Sequence, residues 1–180
     1  LPEEAQDSQN PYGFVGRDAA LLALERARRR APAAMLVHGL GGVGKSTLAR
    51  GFVKWLSQTD GLGRGCLWLT FSDIHSADYV FNRLGEPLFG PQIATLGMDD
   101  KVAPLAQAFR ENPFLIVWDN FESAAGIESA GITGLLPPDD RAALKRFLRK
   151  LRGGQTKVLI ASRSEEAWLG QENRVRVPLG

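Results

Sequence analysis

The chain has 180 residues, 44% of them hydrophobic, and 22 Lys and Arg against 20 Asp and Glu give a net charge of +2. That is enough apolar material for one good core, so one domain is the default, and so small a charge gives no reason to expect nucleic acid or a membrane surface as partner. No apolar run approaches the ~20 residues that span a bilayer, one cysteine (Cys66) rules out an internal disulfide and suits a reducing compartment, and His38 and His75 are too few for a zinc cluster.

Leu1 to Pro11 is polar and unpatterned, so residues 1–12 are expected to be a linker or frayed arm and 13–180 the folded domain. A start at Leu1 and an end at Gly180 read as a piece of a longer protein. Phe14-Val-Gly-Arg-Asp18 leads into a helix over Ala19 to Arg30, with Leu21, Leu22 and Leu24 as its apolar side and Asp18 placed to cap its first turn. Arg28, Arg29 and Arg30 fall in the last turn, where positive charge suits the helix dipole.

Ala33 to Val37 is an apolar run that reads as a buried strand and feeds into Gly39-Leu-Gly-Gly-Val-Gly-Lys-Ser-Thr47. Gly39-x-x-x-x-Gly44-Lys45-Ser46 is the phosphate-cradling P-loop pattern. Gly39, Gly41, Gly42 and Gly44 let the backbone take positive φ and turn its N–H groups, Val43 included, onto an anion. Lys45 then places an ammonium between the β- and γ-phosphates, and the Ser46 hydroxyl completes a Mg²⁺ shell. The helix from Ser46 to Trp55 aims its unpaired N–H groups at the same phosphates. This pattern predicts binding of a nucleoside triphosphate.

Beyond a Gly-rich break at Gly61–Gly65, Cys66 to Phe71 reads as a second strand, Ala77 to Phe89 as a helix, and Gly90 to Gly97 as a loop. A further helix is expected over Lys101 to Arg110, with Pro104 in its first turn. Phe114-Leu-Ile-Val-Trp-Asp119 is a continuous apolar run ending in an acid, the form of a buried parallel strand with a functional tip. Ser123 to Leu136 lacks periodicity and is expected to be a mobile lid or disordered. Pro137-Pro-Asp-Asp140 starts a strong helix with Leu144, Phe147, Leu148 and Leu151 as its buried stripe. Its other faces carry Arg141, Lys145, Arg146, Arg149, Lys150 and Arg152 with no acid among them, a pattern that suits a solvated surface or, as the alternative, a contact with a partner or a nucleic acid. Thr156 to Ile160 is a fourth strand ending in Ala161-Ser-Arg163, followed by a short helix with Glu165, Glu166 and Trp168. Arg174 to Val177 is a fifth strand. The alternation predicts an α/β fold with a parallel sheet and helices on both faces, its strand C-termini placing Gly39, Asp119 and Arg163 along one edge.

Four pieces together, Phe14-Val-Gly-Arg17, the P-loop Gly39 to Thr47, the Walker B strand Phe114 to Asp119 and the strand Val158-Leu-Ile-Ala-Ser-Arg163, resemble the STAND class of P-loop NTPases, which includes NB-ARC and NACHT domains. Trp118-Asp-Asn-Phe-Glu122 is most similar to bacterial STAND proteins with that Walker B sequence. The resemblance implies a P-loop NTPase core with a five-stranded sheet in the order 5-1-4-3-2. It implies that Val15 and Arg17 line an adenine pocket and that Thr47 reaches the α-phosphate. It further implies that Asp119 holds Mg²⁺ with Ser46, and that Arg163 approaches the γ-phosphate. Asn120 stands where NB-ARC relatives commonly have a second Asp, and Glu122 where NACHT relatives carry an acid, so Glu122 is the candidate to activate water.

The resulting expectation is the ATP- or ADP-binding domain of a cytoplasmic signal-transduction switch with slow or absent Mg²⁺-dependent hydrolysis. A helical lid would follow in the parent chain. Its expected partners are nucleotide, further domains of the same parent chain and other copies of the full-length protein, with neither membrane nor nucleic acid. An AAA+-like turnover ATPase and a P-loop small-molecule kinase are the alternatives.

Overall fold

Strands and helices alternate along the chain, and the three central strands carry apolar side chains on both faces, as a sheet covered on both sides requires. A computed structural model of the chain describes residues 1–6 and 17–180. Its strands are β1 (Ala34–His38), β2 (Cys66–Thr70), β3 (Leu115–Asp119), the short β4 (Gly126–Ile127) and β5 (Ile132–Thr133), β6 (Lys157–Ser162) and β7 (Arg174–Pro178). The helices are α1 (Asp18–Arg28), α2 (Lys45–Gln58), α3 (Ala77–Phe89), α4 (Met98–Glu111), α5 (Glu122–Ala125) and α6 (Pro138–Leu151).

Five strands form one parallel sheet in the order β2-β3-β6-β1-β7. Counted by themselves, these are the 5-1-4-3-2 order that the resemblance implied, with β6 between β1 and β3. Because side chains alternate along a strand, Leu36, Ile116, Trp118, Val158 and Ile160 join the core of α3, α4 and α6. Met35, Val37, Val117 and Leu159 join the core of α1 and α2 on the opposite face. All five strands therefore end on the same edge, where β1, β3 and β6 run into the loops that carry the site.

Several local expectations change. On α1 the buried stripe runs through Leu24 and Ala27, while Leu22 is exposed, and no side chain caps the first turn. Helix α4 starts three residues before the expected Lys101, because Asp99 and Asp100 suit a first turn. Pro104 thus lies in its interior, and the fully buried Lys101 is held by Asp78 (2.5 Å) and Asn82 (2.6 Å). Ser123 to Leu136 is ordered: α5 leads into a β4–β5 hairpin, and Leu135 and Leu136 donate to the carbonyls of Ser123 and Ala124. Gly126 and Gly131, both at positive φ, supply turns that periodicity cannot register. The expected helix after Arg163 is a single 3₁₀ turn, Ala167–Leu169. Residues 1–6, within the segment expected as a linker or frayed arm, lie against α2, where Arg50 donates to the Glu4 carbonyl and Ala5 is buried. No described helix is long and apolar enough to cross a membrane.

Candidate functional site

The loop after β1 turns into α2 through Gly42 (φ +80) and Gly44 (φ +88). These two positions need glycine for conformation. Gly39 and Gly41, expected to serve the same purpose, keep ordinary φ and serve close approach instead. A Cβ on Gly39 would run into the Leu179 carbonyl, and one on Gly41 would stand 2.9 Å from the Arg163 guanidinium carbon. Lys45, at the start of α2, reaches back across the loop and donates to the carbonyls of Gly39 (2.8 Å) and Leu40 (2.7 Å). Burial pushes its pKa down, with Glu122 and Asp119 opposing and Arg163 adding to the fall.

One residue on, Ser46 donates its hydroxyl to Asp119 at 2.8 Å, which joins α2 to the tip of β3. Asp119 is buried, and its same oxygen accepts the N–H of Asn120 at 3.0 Å. Asn120 takes φ +51, a conformation that asparagine tolerates better than most residues. Its amide is held sideways by the Ser72 hydroxyl (3.0 Å) at the end of β2. Phe121 then turns into the core, and Glu122 heads α5 with its carboxylate buried. That carboxylate accepts the backbone N–H of Arg163 (3.2 Å) and lies 3.6 Å from its guanidinium. The chain thus pairs Arg163 with Glu122, whereas Glu165 pairs with Arg176 (2.7 Å).

Two cavities meet at this loop. The smaller, about 320 Å³, is lined by Gly41, Gly42, Gly44, Lys45, Ser46, Thr47, Asp119, Asn120, Glu122, Ala161 and Arg163. The larger, about 930 Å³, opens between α1, the loop and β7 and is lined by Arg17, Ala20, Ala23, Gly42, Val43, Val177 and Leu179, among others. Arg17, directly before α1, reaches the Val43 carbonyl at 2.5 Å, and its guanidinium would meet any Cβ on Gly44 at 2.7 Å. Apart from Val15, which lies outside the described residues, every expected site residue except Gly39 lines one cavity or the other. Gly39 sits beneath them as the acceptor of the Lys45 ammonium. His38 lies on the other side of β7, lining a separate cavity with Arg174 and Arg176. Burial lowers its pKa, Glu165 opposes the fall, and the two arginines add to it.

An ordinary Mg²⁺ site takes one or two protein oxygens together with substrate phosphates and water. The Ser46 hydroxyl and Asp119 carboxylate fit that donor set, being hard oxygens already in contact at the rim of an anion-binding loop. No cluster of three or more His, Cys, Asp or Glu able to hold a metal exists among the described residues. Sequence reasoning passed over Ser72, Ser162, Glu166 and Trp168, which brace the site from behind. For Ser72 and Ser162 the only sequence signal was a polar residue at or just beyond the end of a buried strand, and Glu166 and Trp168 had none.

The profile of one protein family, described as an AAA ATPase domain, matches residues 13–161. No curated protein matches the chain. Among solved structures, the chain is similar to the Pyrococcus horikoshii protein PH0952, described as a STAND protein with a tetratricopeptide repeat sensor. That match has 19% identity and TM-score 0.62, covering 98% of this chain and 24% of that one. It is similar to the Aeropyrum pernix ORC1 protein in complex with DNA, at 18% identity and TM-score 0.66, covering 100% of this chain and 48% of that one. It is similar also to Drosophila ORC bound to DNA, at 21% identity and TM-score 0.62, covering 92% of this chain and 43% of that one. The chain thus spans a quarter to a half of the length of these proteins.

The expectation that nucleic acid is no partner is overturned by those DNA complexes of the same fold. A net charge near zero was a poor basis for it, because it averages over the surface. At the end of the sheet away from the P-loop, Lys157 donates to the carbonyls of Arg30 and Pro32. Burial lowers the Lys157 pKa, and the nearby Arg28 and Arg152 lower it further. With a glycine-rich loop between β1 and α2, an acid at the end of β3 and a 5-1-4-3-2 parallel sheet in place, and a family match over most of its length, the chain belongs to the AAA ATPase domain family.

Proposed function

We propose that this domain binds ATP with Mg²⁺ and hydrolyses it as a turnover ATPase of AAA+ type. The observation that carries the reading is the small cavity in which the P-loop, Asp119, Glu122 and Arg163 face one another. Lys45 and the loop N–H groups hold the phosphates, and Thr47 lies at the α-phosphate side. Ser46 and Asp119 hold Mg²⁺, which when bound neutralises charge on the β- and γ-phosphate oxygens. Arg17, Val43 and the larger cavity receive the base and ribose. Glu122 accepts the proton of the attacking water, and Arg163 stabilises the charge gathering on the γ-phosphate. Phosphate release under steady-state conditions tests this. Glu122→Gln should keep ATP affinity and lose about 10²-fold or more in rate; hydrolysis at the parental rate would refute the assignment of the base.

A second reading is the STAND-type switch of NB-ARC or NACHT kind, in which hydrolysis is slow and resets the protein. Asn120 favours it, since the residue beside Asp119 cannot take a proton and is turned toward Ser72. Single-turnover hydrolysis followed by retention of ADP, with no faster multiple turnover, would support the switch. Its further domains and self-association belong to the parent protein. For nucleic acid, the basic end around Arg30, Arg152 and Lys157 is the surface we assign. Duplex DNA binding that weakens steeply between 50 and 200 mM salt, roughly tenfold or more, would support it.

A further inference from the structure

Behind the phosphate cavity lies a buried carboxyl that none of these roles uses. Glu166 is 2% exposed, and its backbone takes φ +46 and ψ 50, a left-handed conformation that L-residues other than Asn and Asp rarely hold. One carboxyl oxygen accepts the Ser162 hydroxyl at 2.5 Å, and the other accepts the Trp168 indole N–H at 2.6 Å. Ser162 in turn accepts the Ser164 N–H (3.1 Å), and the Glu166 N–H donates to the Ser164 hydroxyl (3.0 Å). Among the described residues no cation forms a salt bridge with this carboxyl. A buried acid held only by neutral donors, on a strained backbone, needs a reason to be there.

The reason lies in what its two partners touch. Ser162 is the last residue of β6, directly before Arg163, whose N–H the Glu122 carboxylate accepts and whose guanidinium lies over Gly41. Trp168 stacks on Phe121 with ring centroids 5.8 Å apart and planes 20° apart, and Phe121 stacks on Trp118 at 5.3 Å and 17°. Trp118 directly precedes Asp119, and Phe121 follows it by two residues. The backbone N–H of Phe121 also donates to the Ala161 carbonyl at 3.0 Å. Both loops at the γ-phosphate end of the cavity are thus tied to the one buried carboxyl.

We propose that Glu166 is a positioning residue. Through Ser162 it fixes the backbone of Arg163, and through Trp168 it fixes the ring of Phe121, so that it sets how Glu122 and Arg163 face each other across the phosphate cavity. The kinetic part of this proposal rests on the ATPase reading; the structural part does not. Burial raises the carboxyl to about 7, the Ser162 and Trp168 hydrogen bonds oppose that rise, Glu122 adds to it and Arg174 opposes it. Glutamine, the neutral isostere, can donate to Ser162 and accept from Trp168, and so should replace it.

The test uses the parent chain, Glu166→Gln, Glu166→Ala and Trp168→Phe. Trypsin cleavage after Arg163, whose side chain is 48% exposed, reports how firmly that segment is held. Single-turnover hydrolysis and the affinity for a fluorescent ATP analogue report the site. Glu166→Gln should stay within about threefold of the parent in all three measurements. Glu166→Ala should be cleaved about tenfold faster and hydrolyse about tenfold slower, with analogue affinity changed less than threefold. Trp168→Phe keeps a ring on Phe121 but lacks the indole donor, so it should be cleaved about threefold faster; it decides the matter if the alanine variant does not fold. Parental cleavage rates in Glu166→Ala, or in Trp168→Phe when the alanine variant is unfolded, would overturn the proposal, as would equal losses in the glutamine and alanine variants. If the parent hydrolyses nothing, the ATPase reading fails alone, and the cleavage rates still decide the role of Glu166.

Discussion

The two faces of the sheet hold the site in different ways. On the α1–α2 face the core is largely aliphatic, built from residues such as Met35, Val37, Leu48 and Leu159. It stops short of the P-loop, leaving the 930 Å³ cleft between α1 and β7. There the loop keeps its shape through two glycines at positive φ, the Lys45 ammonium on its carbonyls and the guanidinium of Arg17. On the other face Trp168, Phe121, Trp118 and Phe147 form a continuous aromatic stack, with successive centroids 5.3 to 6.5 Å apart, and Phe71 meets Phe121 edge-on at 4.8 Å. Such pairs add about 0.5–1.5 kcal/mol each beyond the area they bury. The acid end of the site is therefore fixed as part of the core, whereas the phosphate loop is shaped by its own backbone and stands open for a ligand.

The strongest way to break this contrast is Phe121→Ala, which removes the ring at the centre of the stack. It should cost about 3–5 kcal/mol in urea denaturation. A loss below about 1 kcal/mol would mean that the aromatic corner is not core at all.

Stability against pH probes the same corner more finely. Glu166 is raised from its ordinary value of 4.5 to about 7, mainly by burial, so the folded protein holds that proton more tightly than the unfolded chain does. Its contribution is complete below pH 4.5 and is lost as pH rises through 7, a change of about 3 kcal/mol. Glu166→Gln has no proton to lose. Between pH 4.5 and 8 its stability should gain on the parent by about that amount, and parallel curves for the two proteins would contradict the burial argument.

On the open side, Lys45→Ala should weaken ATP binding by about 1.5–3 kcal/mol through loss of a charge-assisted contact, with thermal stability close to that of the parent. Calorimetric titration measures the first and thermal unfolding the second. Equal ATP affinity in the variant would remove the P-loop from the site. The smallest effect expected is at Leu22, half exposed on the outer side of α1. Leu22→Ala should change stability by no more than about 0.5 kcal/mol, and a larger loss would show that α1 is packed more tightly than the cleft suggests.

Much of this was legible in the sequence because it is local. A phosphate cradle is made by consecutive backbone N–H groups, so Gly39 to Thr47 announces itself by spacing alone. Parallel strands buried on both faces read as unbroken apolar runs, and this placed Asp119 at the end of a buried strand. The sequence could not separate glycines needed for φ from those needed for space. Gly42 and Gly44 belong to the first kind, while Gly39 and Gly41 are crowded by Leu179 and Arg163, residues distant in the chain.

By itself, then, the sequence determined the α/β class, the phosphate loop and the residues at the strand tips, since each rests on a pattern a few residues long. The tertiary structure alone decided the partners: Ser46 with Asp119 across 73 positions, Glu122 with Arg163 across 41, and Glu166 as the hidden brace behind them. Those pairings depend on β6 lying between β1 and β3. A strand's apolar pattern reports that it is buried and gives no information about which strand lies beside it.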